Sequence, residues 1–215
     1  MIQGIQIQWL GHSAFKITSQ GKNIYIDPFK ISQADNDADY ILITHPHYDH
    51  CSVEDLKKLT KEGTKIIMPT DCQSKVSRLD NKIEMIIISL GEKKIFDDLQ
   101  VEAVPAYNIG KEFHPKSQEW LGYIITLEGK RIYHAGDTDN IPEMANLKNI
   151  DVAFLPVSGT YVMTAEEAAQ AAEKIKPKVA IPMHYASIVG TEQDADKFVS
   201  LCKEKGINVE KLEKD

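Results

Sequence analysis

The sequence has no run of about eighteen apolar residues, the length that a membrane-crossing helix needs, and no basic leader followed by an apolar stretch. Membrane insertion is therefore not expected. A cluster of Lys and Arg is also lacking: 25 basic residues face 32 acidic ones, for a formal net charge of −7. A surface that neutralises nucleic-acid phosphates or anionic lipid needs a basic patch, so neither partner is expected and a small-molecule substrate fits better. Cysteine is scarce. Cys51, Cys72 and Cys202 are odd in number and unrelated in spacing, which excludes a disulfide framework and suggests a reducing, cytoplasmic location. Low-complexity tracts and linkers are missing too. The 215 residues, 42% of them hydrophobic, are expected to fold as a single domain spanning 1–215. Nothing in the pattern indicates an oligomeric state.

What is present is a strand-rich pattern. Ile5, Ile7 and Trp9 alternate with Gln6 and Gln8, the period-2 signature of an outer strand with one wet face. Further strands are predicted at 15–18, 23–26, 40–44, 65–68, 84–89, 99–104, 121–127, 131–134, 151–156 and 178–182. Several, such as 40–44, are apolar throughout and are expected to be buried on both faces. Thr164-Ala165-Glu166-Glu167 is a capping box that opens an Ala-rich helix ending near Pro177, and Ser52 and Thr191 are candidate N-caps for helices ending near Leu59 and Lys205. The mixture predicts an α+β chain of two packed sheets with helices outside.

Of the 7 histidines, 5 fall with two aspartates just after predicted strands or in loops. His45, His47, Asp49 and His50 follow 40–44, His114 lies in the long loop before 121–127, Asp137 follows 131–134, and His184 follows 178–182. Strand ends along one sheet edge are a usual place for a site. His45 and His47, two apart in extended backbone, can grip one metal ion. Asp49 and His50 are then placed for a second ion about 3.5 to 4 Å from the first, the separation of hydrolytic two-metal centres. A carboxylate such as Asp137 can bridge both. Imidazole and carboxylate donors suit Zn, Mn or Fe more than Ca.

The string Thr44-His45-Pro46-His47-Tyr48-Asp49-His50, followed by an isolated His, an Asp and a final His, resembles the metallo-β-lactamase superfamily over nearly the whole chain. That resemblance implies the four-layer αββα sandwich. It assigns His45, His47 and His114 to one metal and Asp49, His50 and His184 to the other, with the Asp137 of Ala135-Gly136-Asp137-Thr138 as bridge. Trp9-Leu10-Gly11-His12-Ser13-Ala14 and Tyr25-Ile26-Asp27-Pro28 look like the compact branch that includes ascorbate-6-phosphate lactonase and the N-acyl-phosphatidylethanolamine phospholipase. The family places an Asp at the position of Asp27 beneath the metals, where it can orient ligands, and the recurrence of Gly-His-Ser or Gly-His-Ala in the branch implies that His12 serves the substrate. Gly11 would permit the turn that aims His12.

The activity implied is cleavage of a small lactone, ester or phosphodiester by a hydroxide bridging two divalent ions, with Asp49 and His12 assisting. The alternatives are an RNA or DNA nuclease, disfavoured by the acidic balance and the lack of a nuclease-type extra domain, and a non-catalytic metal-binding module of the same fold. Cys51 reads as a small buried residue and His134 as a structural one. Trp120, Tyr161 and Tyr185 either line a pocket or simply pack.

Overall fold

The computed structural model describes residues 1–80 and 82–215, and among them no helix is long and apolar enough to cross a membrane. The chain divides into two compact units, Met1–Ser89 with Lys214–Asp215, and Leu90–Glu213.

The first unit is a six-stranded sheet in chain order: β1 (Gln6–Gly11), β2 (Ala14–Ser19), β3 (Lys22–Ile26), β4 (Ala38–Leu42), β5 (Thr60–Met68) and β6 (Glu84–Ile87). The first three strands form an antiparallel meander, and β3 through β6 run parallel. Helix α1 (Val53–Leu59) crosses from β4 to β5, and the short α2 (Gln73–Val76) lies between β5 and β6. Ser52 caps α1 as its sequence predicts, accepting the Asp55 backbone N–H. Alternation in β1 is realised, with Ile7 and Trp9 buried and Gln6 exposed. It is the edge strand, and its outer side is covered by the chain terminus, where the Asp215 N–H donates to the Trp9 carbonyl at 2.9 Å. Residues 40–44 are buried throughout, as an apolar strand between parallel neighbours must be.

A core of Ile41, Ile43, Leu56, Leu59, Ile66, Met68 and Val76 fixes α1 and α2 to their sheet. Each such side chain contributes roughly 1.5–3 kcal/mol by leaving water. Cys51 and Cys72 belong to this core, both under 3% exposed, so Cys51 is a small buried residue, as expected.

The second unit holds the sheet β12-β11-β10-β9-β8-β7. Its strands are β7 (Lys93–Ile95), β8 (Gln100–Pro105), β9 (Leu121–Leu127), β10 (Lys130–His134), β11 (Val152–Pro156) and β12 (Val179–Met183). β7 through β10 are antiparallel, and β10, β11 and β12 are parallel. Helix α3 (Ala165–Ile175) crosses from β11 to β12, and α4 (Glu192–Glu204) follows; they pack on each other, α3 against β11 and α4 against β12. The capping box predicted at Thr164 is formed with Glu167, and Thr191 forms one with Asp194. The Ala-rich run ends at Ile175, where Lys176 turns left-handed before Pro177. Strand β7 has no counterpart in the prediction. Its three residues, Lys93, Lys94 and Ile95, carry no alternating apolar signal, and the lysines suit an exposed sheet edge.

One polar junction ties the first meander together. Asp37, just before β4, accepts hydrogen bonds from Lys16 Nζ, Asn23 Nδ2 and Tyr25 Oη, each at 2.7 Å. Burial works against its ionisation, but the bonds from Lys16 and Tyr25 outweigh that and hold its carboxyl below the usual range. Asp151 is held down in the same sense against its own burial, by Lys178 and the Arg131 N–H. A depressed carboxylate stabilises the fold above its unfolded pKa and loses that contribution as pH falls through the folded value, so the loss belongs to the range below about 4. Asp37→Asn is expected to lower unfolding stability by roughly 1–3 kcal/mol at pH 7. The gap to wild type should narrow as pH is lowered toward 3. Denaturant midpoints measured at both pH values check this, and coincident midpoints at pH 7 would overturn it.

Candidate functional site

Strand direction gathers the chemistry-bearing residues at one edge in each unit. In the first unit β1, β3 and β4 run the same way, so Gly11, Ile26 and Leu42 end together and are followed by His12, Asp27 and the 44–50 string. In the second unit β8, β10, β11 and β12 share a direction. The residues after their ends include His114, Asp137, Ser158 and His184. Four of these residues turn the chain at positive φ without being glycine: His12 (53°), Asp27 (43°), His114 (50°) and His184 (59°). Gly11, at φ 104°, makes the turn into His12 in a conformation that favours glycine, as its sequence position implies.

In the first unit the organising group is Asp27, fully buried. Its Oδ1 accepts the Thr44 backbone N–H at 2.8 Å, and its Oδ2 accepts the Thr44 hydroxyl at 2.6 Å. His50 Nδ1 lies 2.7 Å from the same Oδ2. A carboxylate only accepts, so His50 carries a proton on Nδ1 and turns its Nε2 to the other side of the ring. The Thr44 hydroxyl spends its hydrogen on Asp27 and must therefore accept from His45 Nδ1, 2.9 Å away. His45 is fixed in the same tautomer. Its Nε2 meets His47 Nδ1 at 3.1 Å, and His50 Nε2 lies 3.6 Å from Asp49 Oδ2. His12 Nε2 lies 2.9 Å from that same Asp49 oxygen, so His12 contacts a proposed ligand carboxylate. Convergence of His45 and His47 does not come from strand alternation, because β4 ends at Leu42 and the chain turns from Pro46. The N–H groups of His50 and Cys51 both donate to the His47 carbonyl.

The second unit repeats the logic with different partners. His114 Nδ1 is 3.0 Å from Asn108 Oδ1, which can only accept, and His184 Nδ1 is 3.0 Å from Ser158 Oγ. Asp137 Oδ2 lies 3.3 Å from His114 Nε2 and 3.2 Å from His184 Nε2. Asn108 is itself held by Asp139, which also accepts the Ile109 N–H at 2.8 Å and Lys111 Nζ at 2.6 Å. Lys111, Asp139, Asn108 and His114 thus form one relay that orders the loop after β8. Ser158 can approach His184 because of Gly190. That residue sits at φ 69°, and a Cβ there would stand 2.6 Å from the Ser158 Cβ.

These donor sets fit transition-metal ions. Imidazole nitrogens and carboxylate oxygens 3.1–3.3 Å apart match the ligand-to-ligand edge of a tetrahedron with bonds of about 2.0–2.1 Å. Nδ1–H groups anchored on carboxylate, hydroxyl or amide oxygen are the usual support of metal-ligating histidine. Among the second group of residues, Trp120 stands edge-on to His114 at 5.6 Å, Tyr161 packs on Phe113 at 4.6 Å, and Tyr185 is buried. His134 is buried, and its Nδ1 accepts the Gly136 N–H at 3.2 Å, shaping the turn before Asp137. Sequence reasoning missed Thr44, Asn108, Asp139 and Ser158.

The architecture of the chain is shared with solved structures. A crystal structure from Parabacteroides distasonis, provisionally named a metal-dependent hydrolase, superposes with a TM-score of 0.86 at 33% identity, covering 97% of this chain and 94% of that one. Across 94% of this chain and 93% of each relative, the sequence is 37% identical to a UPF0173 metal-dependent hydrolase of Symbiobacterium thermophilum and 34% to one of Thermococcus kodakarensis. The α+β, metallo-β-lactamase class expected from the sequence is thus the observed one. A family model described as a beta-lactamase superfamily domain matches residues 6–184, and the chain belongs to that superfamily.

Two substitutions test the supporting bonds. Asn108→Ala is expected to weaken metal binding by roughly 10- to 100-fold while circular dichroism stays unchanged. Competition with a chromogenic chelator measures it, and wild-type affinity would refute the role. Asp27→Ala strands the Thr44 N–H and hydroxyl and the His50 imidazole in a dry interior, at about 1–3 kcal/mol for each lost partner. Its thermal midpoint should fall sharply, and a midpoint within a few degrees of wild type would remove Asp27 from the centre of this network.

Proposed function

We propose that the chain is a metal-dependent hydrolase in which His45, His47 and His114 hold one divalent ion and Asp49, His50 and His184 a second, with Asp137 shared. The observation that carries the reading is the tautomer pattern. His45, His50, His114 and His184 each engage a non-ligand oxygen through Nδ1, which reserves Nε2 for another partner. Relatives over 30% identical along nearly the whole chain carry the name metal-dependent hydrolase, which supports the same activity here. Zinc is the preferred ion, with manganese or iron compatible with the same donors.

Divalent ions held there would acidify water toward neutral pH and polarise the attacked carbonyl or phosphoryl oxygen. The remaining work falls to the chain. His12, 2.9 Å from Asp49 Oδ2, holds that carboxylate and can redirect the same Nε2–H to a substrate oxygen. Asp49, less buried than His50, is the group placed to take and pass on a proton. Asp27 and Thr44 keep His45 and His50 oriented throughout, since each ring is held through its Nδ1 by that network. We assign the substrate to small lactones, esters or phosphodiesters, in keeping with the compact branch the sequence resembles.

Elemental analysis of the reconstituted protein should find about two ions per chain; one ion or none would sink the binuclear assignment. Asp137→Ala should cut turnover of p-nitrophenyl acetate and bis(p-nitrophenyl) phosphate by on the order of 10²-fold or more, with the fold retained. Near-normal rates would overturn the assignment of Asp137.

A further inference from the structure

A groove of about 490 Å³ opens in the first unit beside the 44–50 string, lined in part by Tyr48 and Cys51 of the string itself and its neighbour. Its charge is opposite to that of the protein as a whole. Lys30, Lys58, Lys75 and Arg78 line it against Glu54 and Asp55, in a chain whose formal charge is −7. Asp55 is already committed: it accepts Lys58 Nζ at 2.9 Å, the Ser52 hydroxyl at 2.7 Å and the backbone N–H groups of Lys30 and Ile31. With that pair removed, Lys75 and Arg78 still face Glu54 in the lining. Arg78 is exposed and forms no ion pair among the described residues. Lys75 donates one N–H to the Pro46 carbonyl at 2.5 Å, which fixes its ammonium beside the string and leaves two N–H bonds for a ligand.

The groove also has an aromatic wall. Tyr48 is 62% exposed although it stands between His47 and Asp49, and its ring meets Phe29 edge-on at 5.8 Å. The Lys30 ammonium lies over the Phe29 ring, 5.3 Å from its centroid. Folding gains little from a large aromatic held in water, whereas a planar ligand gains a stacking surface.

We infer that this groove is a substrate subsite that takes an anionic group, phosphate or carboxylate, on Lys75 and Arg78, with the adjoining planar part of the molecule against Tyr48. The inference deepens the hydrolase reading by giving the substrate a negative charge on the Tyr48 side. Capture of the anion does not require cleavage, so the two readings can fail separately.

The test is equilibrium binding to the metal-loaded protein of phenylphosphonate, benzoate and benzyl alcohol, none of which offers a hydrolysable bond. Backbone amide shifts are followed by NMR. Expected are shifts at Tyr48, Lys75 and Arg78 with at least one of the two anions, no saturable shift with the neutral alcohol, and roughly tenfold weaker anion binding in Arg78→Ala. The tighter of the two anions identifies phosphate or carboxylate as the group recognised. Because Lys75 also holds Pro46, Lys75→Ala is read beside Lys75→Arg, which keeps the charge and should bind within about threefold of wild type. Anion affinity unchanged in Arg78→Ala and Lys75→Ala, or shifts that avoid the groove, would overturn the subsite. Binding at the groove in a protein that holds no metal or turns over no ester would uphold it while refuting the hydrolase.

Discussion

One buried carboxylate sets the terms for the first unit. Asp27 is buried away from water, and its oxygens are satisfied by the Thr44 amide, the Thr44 hydroxyl and His50. The same bonds determine where protons sit on two imidazoles. His50 must keep its hydrogen on Nδ1, and the Thr44 hydroxyl, having given its own hydrogen away, can only accept from His45. A single residue at the end of β3 thereby fixes the join between β3 and β4, the start of the histidine string, and the face each ring presents. Stability and ligand orientation are the same set of hydrogen bonds here.

The second unit reaches an equivalent result without a central acid. Asn108 and Ser158 anchor the two histidines separately, and each anchor is itself positioned by a longer-range device: the Lys111–Asp139 pair for Asn108, the left-handed Gly190 for Ser158. Asp139 is 4% exposed, and it balances its burial with one ammonium, one amide side chain and one backbone N–H. The loop after β8 has no regular structure between residues 106 and 115. Its order comes from these polar bonds rather than from a ladder. Losing one of them is therefore expected to act on metal affinity before it acts on the fold, whereas in the first unit the two effects are bound together.

The strands and the histidine-rich string were legible because their signals are local. Eleven apolar or alternating runs, the H-P-H-Y-D-H string, the capping box at Thr164 and the N-cap candidate Thr191 each declare themselves within a few residues. Asp27 was reachable by resemblance. Asn108, Asp139 and Ser158 were not, since a polar residue in a loop looks the same whether it meets water or an imidazole 6 or 26 positions away. β7 was illegible for the opposite reason: an exposed edge strand of Lys93, Lys94 and Ile95 needs no hydrophobic pattern. The contact of His12 Nε2 with Asp49 Oδ2 was not legible. That pairing spans 37 positions and two strand ends, and no spacing rule encodes it.

The left-handed residues show how the fold carries the cost of these arrangements. His12, Asp27, His114 and His184 each accept a backbone conformation that costs an L-residue roughly 1–2 kcal/mol. Glycine would relieve that strain at every one of them and would delete the side chain the turn exists to aim. At His12, Asp27 and His184 the left-handed residue directly follows a strand end, and at His114 it lies in the irregular loop after β8. Such strain persists only where the surroundings over-determine the conformation. Asp27 is held by three donors, His114 by Asn108, His184 by Ser158 and His12 by the turn that Gly11 opens, with the Trp9 indole N–H donating to the His12 carbonyl at 2.9 Å. At Asp27, His114 and His184 the bond that orients the side chain also restrains the strained backbone, whereas at His12 the restraint falls on the backbone carbonyl.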